Sequence, residues 1–270
     1  MKIILTCILY FLVIPNSLCA QEYKKLVWSD EFNYEGLPDR SKWGYEKGYV
    51  RNGEKQFYNV ADLDNSRVKN GNLIIEARKS EGNSSGLWAE LFEAKKPLYT
   101  SASLTTRKLN SWTYARIEVR AKLPHGVGVW PAIWLLGVDE QHQGWPAKGE
   151  IDLMEYVGYK KNKVHVALHT KKRNHQNKKG INKEFKLEDL LTDYHTYAVE
   201  KYPNIIKFYI DNKLVFSYEK EGNSSDYWPF DEPMYLIINL AIGGSWGGKQ
   251  GIDDGIFPQQ FLIDYVRVYQ

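Results

Sequence analysis

Cysteine is almost missing from this chain. Only Cys7 and Cys19 occur among 270 residues, both within the first twenty positions. The remainder has no thiol or disulfide, so its stability must come from packing. Excess charge of one sign is missing as well. Lys+Arg number 36 and Asp+Glu 33, a balance of +3, or +2 with Lys2 set aside (35 − 33). A chain so close to neutral lacks the basic stripe that nucleic acid requires. No apolar run after residue 20 is long enough for a membrane span. Helical periodicity is scarce, and only Glu184 to Leu191 suggests a turn or two of helix.

Residues 1–20 read as a secretory signal peptide. Lys2 supplies the positive start, Ile3 to Ile14 the apolar stretch, and Ala20 the small residue before a cut at Gln21. Cys19 raises lipidation, but Ser17-Leu18 fits a lipoprotein signal poorly. A secreted or periplasmic protein is the expectation, with a cell-surface lipoprotein as the lesser alternative. Residues 21–270 show no repeat and no linker composition, so one domain, and a monomer, is expected.

Short alternating runs fill that domain. Ala115, Ile117, Val119, Ala121 and Leu123 alternate with Arg116, Glu118, Arg120 and Lys122, the mark of a half-buried strand. Leu73, Ile75 and Ala77 give another, and Tyr235 to Ile242 is apolar on both faces except at Asn239. Ile206 to Phe216 reads as a hairpin about Asp211-Asn212, and Phe261 to Tyr269 as a last strand. Many short strands with almost no helix predict an all-β antiparallel sandwich or barrel. Asn83 and Asn223 each begin Asn-Ser-Ser in loop-like segments, acceptors for glycan only in a eukaryotic secretory route.

Against this background stands Gly149-Glu150-Ile151-Asp152-Leu153-Met154-Glu155. Three carboxylates share six residues of a strand-like stretch. Glu150 and Asp152 project from one face, whereas strict alternation sends Glu155 to the other. A β-bulge, placed most simply at Met154, returns Glu155 to their side. Carboxylates on a solvent-facing edge strand are common, so the spacing alone also fits an exposed face. The nearby Trp130, Trp134 and Trp145 shift the reading towards chemistry, since paired carboxyl groups on one face are what glycosidic hydrolysis needs. His165 and His169 share a face of the next strand and, with His175, suggest a metal cluster. Cysteine and acidic ligands at useful spacing are missing, which favours structural or hydrogen-bonding histidines.

The acidic strand resembles the active-site strand of family 16 glycoside hydrolases in its bulged form, nearest the laminarinase-like (endo-1,3-β-glucanase) branch. The resemblance extends through Trp28-Ser29-Asp30-Glu31-Phe32-Asn33, Tyr99-Thr100-Ser101, Val129 to Trp134, Asn239 to Gly244 and Ile263 to Tyr269. It implies a β-jelly-roll sandwich with an open concave cleft, and a retaining endo-acting hydrolase of β-1,3-glucan or mixed β-1,3/1,4-glucan. Glu150 is implied as nucleophile, Glu155 as general acid and base, and Asp152 as their electrostatic partner. Asn52, Glu54, Trp130, Trp134, Trp145, His169 and Trp246 are implied in substrate binding, while His195 is implied to be structural. No cofactor is implied for catalysis. A structural Ca²⁺ is, held by the backbone of Glu31 and Gly71 and the Asp264 carboxylate. The chain departs from the family pattern at Ser103 (often arginine), Ala115 (often glycine) and Lys201 (often tryptophan). Two other readings remain open. One is the same chemistry on an algal galactan, favoured by Lys171-Lys172-Arg173 with Lys178-Lys179. The other is a non-catalytic glucan-binding module.

Overall fold

The computed structural model describes residues 23–80, 97–138 and 144–270. The expected leader and the Asn83 loop lie outside the described residues. In chain order the strands are β1 (Leu26–Asp30), β2 (Gly44–Tyr45), β3 (Gln56–Tyr58), β4 (Ser66–Lys69), β5 (Asn72–Lys79) and β6 (Tyr99–Ser101). Next come β7 (Ser103–Thr105), β8 (Ala115–Lys122), β9 (Val129–Gly137), β10 (Glu150–Tyr156), β11 (Lys163–His169) and β12 (Ile181–Lys186). The last are β13 (His195–Lys201), β14 (Ile205–Ile210), β15 (Lys213–Glu219), β16 (Met234–Ile242) and β17 (Gln259–Tyr269), with one helical turn, α1 (Gly244–Gly247), before β17.

Two sheets form the expected sandwich. One has the order β15-β14-β13-β8-β17-β5-β6-β3, with β1 beside β17 and β4 beside β5. The other runs β12-β11-β10-β9-β16-β7-β2. Every strand pairing is antiparallel except β3 with β6. The alternation in β8 buries Ala115, Ile117, Val119 and Ala121, while Arg116 and Arg120 stay partly exposed. These side chains meet Ile133 and Leu135 of β9, Ile151 and Leu153 of β10 and Leu236, Ile238, Leu240 and Ile242 of β16 in one core. Each large apolar side chain so buried contributes about 1.5–3 kcal/mol. Central β9 and β16 are buried along their whole length, which explains their continuous apolar runs.

The hairpin turns at Asp211 and Asn212 with φ of 49° and 61°, the paired left-handed conformation of a two-residue turn. The helix expected over Glu184 to Leu191 does not form: strand runs to Lys186, and a single hydrogen-bonded turn follows, in which Thr192 and Asp193 N–H donate to Asp189 O. Ile181–Lys186 is an edge strand laddered to β11, with Ile181 and Phe185 packed on the core. Two turns of helix cannot match a six-residue ladder, because a short helix bears its nucleation cost alone.

Candidate active site

The second sheet turns one face to the main core and covers the other with two smaller clusters, around Trp134 and Trp130, that Trp145 and Trp246 border, and β10 populates both faces. Ile151, Leu153, Met154 and Tyr156 lie in the core. Against β9 the register runs Glu150 to Leu136, Ile151 to Leu135, Asp152 to Trp134, then Met154 to Ile133 and Glu155 to Ala132. Leu153 is thus the unpaired residue. Against β11, Asp152 faces Ala167 and Glu155 faces His165, so Leu153 and Met154 together oppose Val166. The bulge expected at Met154 therefore spans Leu153–Met154. Both residues point inward, 1% and 0% exposed. Two successive inward side chains reset the alternation and bring Glu155 to the face of Glu150 and Asp152.

The strand starts from a fixed point. Gly149 has φ +77°, and a Cβ there would lie 2.7 Å from Pro229 Cγ, so only glycine fits this close approach. The turn carrying Pro229 is pinned by Lys201, whose buried Nζ donates to the carbonyls of Phe230 (2.8 Å) and Glu232 (2.7 Å). The Lys201 departure from the family pattern thus has a packing role. Burial lowers its ammonium pKa to about 7.

Indole donors hold the two glutamates. Trp145 Nε1 donates to Glu150 Oε2 at 3.0 Å, and Trp130 Nε1 to Glu155 Oε1 at 3.1 Å. Trp130 meets Trp246 edge-on at 5.5 Å between ring centres, and His165 lies edge-on to Trp246 at 4.9 Å. Trp134, 7% exposed, donates to Asn239 Oδ1 at 2.8 Å. One face of its ring is covered by the Arg51 guanidinium, 4.8 Å from the centroid. Trp145 and Trp246 are partly exposed on this face, whereas Trp130 and Trp134 are buried and act through their N–H groups.

Asn52 and Glu54 arrive beside β16. Glu54 Oε2 accepts from Gln56 Nε2 (2.7 Å) and the Tyr58 hydroxyl (3.3 Å), and Oε1 from Asn52 Nδ2 (3.3 Å). The Asn52 carbonyl accepts from the Ser245 N–H at 2.9 Å, tying this turn to α1 and Trp246. Arg51 is ion-paired with Glu46, whose other oxygen accepts from the Ser103 hydroxyl at 2.6 Å. Arg51, Glu46 and Gln56 escaped the sequence reading. Their neighbourhood with Ser103 arises from pairing of β2 with β7 and from loop closure, which periodicity does not encode.

Burial drives the electrostatics of the three acids. The pKa of Glu150 is raised first by desolvation and then by the Asp152 charge, and Glu155 follows the same order. Asp152 is raised by desolvation. Neighbouring carboxyl groups in so dry a place resist joint ionisation, so one retains a proton while another is free to attack. His169 Nε2 stands 3.3 Å from Asp152 Oδ2 and 3.7 Å from Glu150 Oε1. Glu54 is also raised, chiefly by burial. Asp264 lies in β17 of the other sheet, with Glu31 just past the end of β1 and Gly71 in the turn between β4 and β5. There Asp264 accepts from Arg120 at 2.6 Å, and the Glu31 carboxylate pairs with Arg267.

A sandwich with two held glutamates and a third acid on one face defines a glycoside hydrolase. The family model for "Glycosyl hydrolases family 16" matches residues 53–267, and the chain belongs to that family. It is 45% identical over 256 residues to a "Beta-glucanase" of Rhodothermus marinus, covering 91% of this chain and 85% of that one. The laminarinase structure from the same organism superposes with a TM-score of 0.83 at 44% identity, covering 91% of this chain and 97% of that chain. The chain is also 34% identical over 265 residues to "Glucan endo-1,3-beta-glucosidase A1" of Niallia circulans, covering 91% of this chain but 38% of that longer protein.

Proposed function

We propose that this protein is a retaining endo-β-1,3-glucanase that also accepts mixed β-1,3/1,4-glucan. The observation that carries this reading is the bulge, which brings Glu150 and Glu155 to one face on either side of Asp152, each beside its own indole donor. Glu155 gives its proton to the glycosidic oxygen while Glu150 attacks the anomeric carbon. The bond to the leaving sugar breaks and a glycosyl ester forms. Glu155, now a base, takes a proton from water, which displaces Glu150 and restores both groups. Asp152 keeps Glu155 protonated at rest by its charge.

A neutral polymer suits the groove better than a sulfated one. Glu46, Glu54, Glu150, Asp152 and Glu155 outnumber Arg51 and Lys160, and both cations are already ion-paired, with Glu46 and Glu184, so an anion meets mostly acid. Of the basic cluster, Lys171 and Arg173 are paired with Asp226 and Glu221. Reducing-sugar release from laminarin, lichenan, agarose and carrageenan checks the assignment. Laminarin is expected to be cut, and activity on agarose with none on laminarin would refute it. Glu150→Gln is expected to lose about 10³-fold or more in kcat while still binding laminari-oligosaccharides. A binding module would show no turnover in the parent chain either.

The protein is further proposed to leave the cytoplasm through its N-terminal leader and to act as a monomer. No helix among the described residues is long and apolar enough to cross a membrane. A structural Ca²⁺ is proposed where β17 changes neighbour. There β5 ends its pairing at Ile263, β1 begins at Val266, and Asp264 is the unpaired residue of a bulge. Glu31 follows Asp30, the partner of Val266, and Gly71 lies two residues before Leu73, the partner of Ile263; a hard cation there would take their backbone oxygens and share Asp264 with Arg120. Added Ca²⁺ is expected to raise the melting temperature of chelator-treated protein without changing KM.

A further inference from the structure

The histidines show no acidic partner in sequence spacing, but strand pairing supplies two. The ladder of β10 with β11 sets Glu150 directly opposite His169, and Asp152 lies two residues along on the same face. One donor atom each from Glu150, Asp152 and His169 lies within 4.8 Å of the others. The imidazole Nε2 is 3.3 Å from Asp152 Oδ2 and 3.7 Å from Glu150 Oε1. Ligand atoms bound to tetrahedral zinc at about 2.0–2.1 Å stand roughly 3.3–3.5 Å apart, so His169 is already near that separation from each acid, and the two acids need to close only a short way.

A second observation points to a cation. Asp152 is 3% exposed, yet its buried Oδ2 accepts no aligned hydrogen bond, the imidazole Nε2 of His169 at 3.3 Å standing beside it. Leaving a buried carboxylate oxygen unsatisfied is costly, and an ion between it and His169 removes that cost. The Glu150 side chain remains 16% exposed, which opens a path from the groove. His175 stands beside His169, with ring centres 5.2 Å apart.

We propose that Glu150, Asp152 and His169 form an inhibitory site for a transition-metal dication, Zn²⁺ or Cu²⁺, that competes with glucan for the groove. The proposal rests on the glucanase reading above. One imidazole and two carboxylates leave a fourth position to water. Such a donor set favours zinc, copper and cobalt over Mg²⁺ and Ca²⁺, which take oxygen ligands. The ion binds by coordination alone. It holds the lone pair that Glu150 would use to attack and occupies the place of the sugar.

The test uses the full chain, stripped of metal and then kept in Ca²⁺-containing buffer. Zn²⁺ is expected to raise the apparent KM for laminarin at least about tenfold at micromolar concentration. The limiting kcat should stay unchanged, and exchange into zinc-free buffer should restore the enzyme. Equal Mg²⁺ should do nothing. Calorimetry should show Zn²⁺ affinity falling at least about tenfold in both His169→Asn and Asp152→Asn. Co²⁺ should give the intense visible absorption of a tetrahedral site, bleached by laminari-oligosaccharide. An unchanged KM, a loss confined to kcat, or parental affinity in both variants would overturn the proposal. Failure of the metal-free enzyme on laminarin would instead sink the glucanase reading, and calorimetry would still decide the metal site.

Discussion

Asp152 shows how much of this site lies in charge placed beside charge. It is the most buried of the three acids on the strand, and its charge raises the pKa of both Glu150 and Glu155. In Asp152→Asn that push is gone, and both pKa values fall. The proposed mechanism needs Glu155 protonated, so the alkaline limb of kcat/KM against pH should move to lower pH in the variant. A limb that stays in place would mean that Asp152 acts only by positioning. Residue identity was legible here because three acids amid apolar neighbours stand out. Their partners were not. The indoles of Trp130 and Trp145 read as flat platforms in sequence, whereas folding turns their N–H groups onto the carboxylates. Nothing in the spacing of Arg51 announces that it will cover Trp134.

At the scale of the element, period-2 patterning located β5, β8, β14, β16 and β17 within a residue or two, and β15 to within three, because each buries one or both faces. It failed at the edge strand β12, half exposed and short of apolar contrast. The bulge was legible as a necessity but not in its position, since Leu153 and Met154 are equally apolar and both face the core. Its logic gives a paired prediction. Deleting Leu153 alone leaves Glu150, Asp152 and Glu155 in strict alternation on one face. That variant is expected to fold and to retain measurable laminarin hydrolysis, at a loss of roughly 2–5 kcal/mol for the missing core side chain. Deleting Leu153 and Met154 together turns Glu155 into the core, where an unpaired carboxylate is untenable. No cooperative melt is expected from the double deletion. Equal activity in the two would show that the face of Glu155 does not matter.

For the whole molecule, the same acids weaken the fold that presents them. Burial, and after it the Asp152 charge, raises the Glu150 pKa above the ordinary carboxylate range. A carboxyl group whose folded pKa is raised favours folding while protonated. That contribution is complete below the unfolded pKa and is lost as pH rises through the folded one. Glu150→Gln carries no such proton and also relieves Asp152 and Glu155 of one repulsion. Its melting temperature should therefore match the parent near pH 4 and exceed it progressively towards pH 8. Lys201 works in the opposite direction. Its pKa is lowered to about 7, so its burial costs most at low pH, and stability recovers as pH rises above 7. Because Lys201 is present in both proteins, its effect cancels in their difference, and only the groove acids remain. A difference that does not grow with pH would mean that water reaches Glu150 freely. The groove would then lack the dryness on which the division of labour between the two glutamates depends.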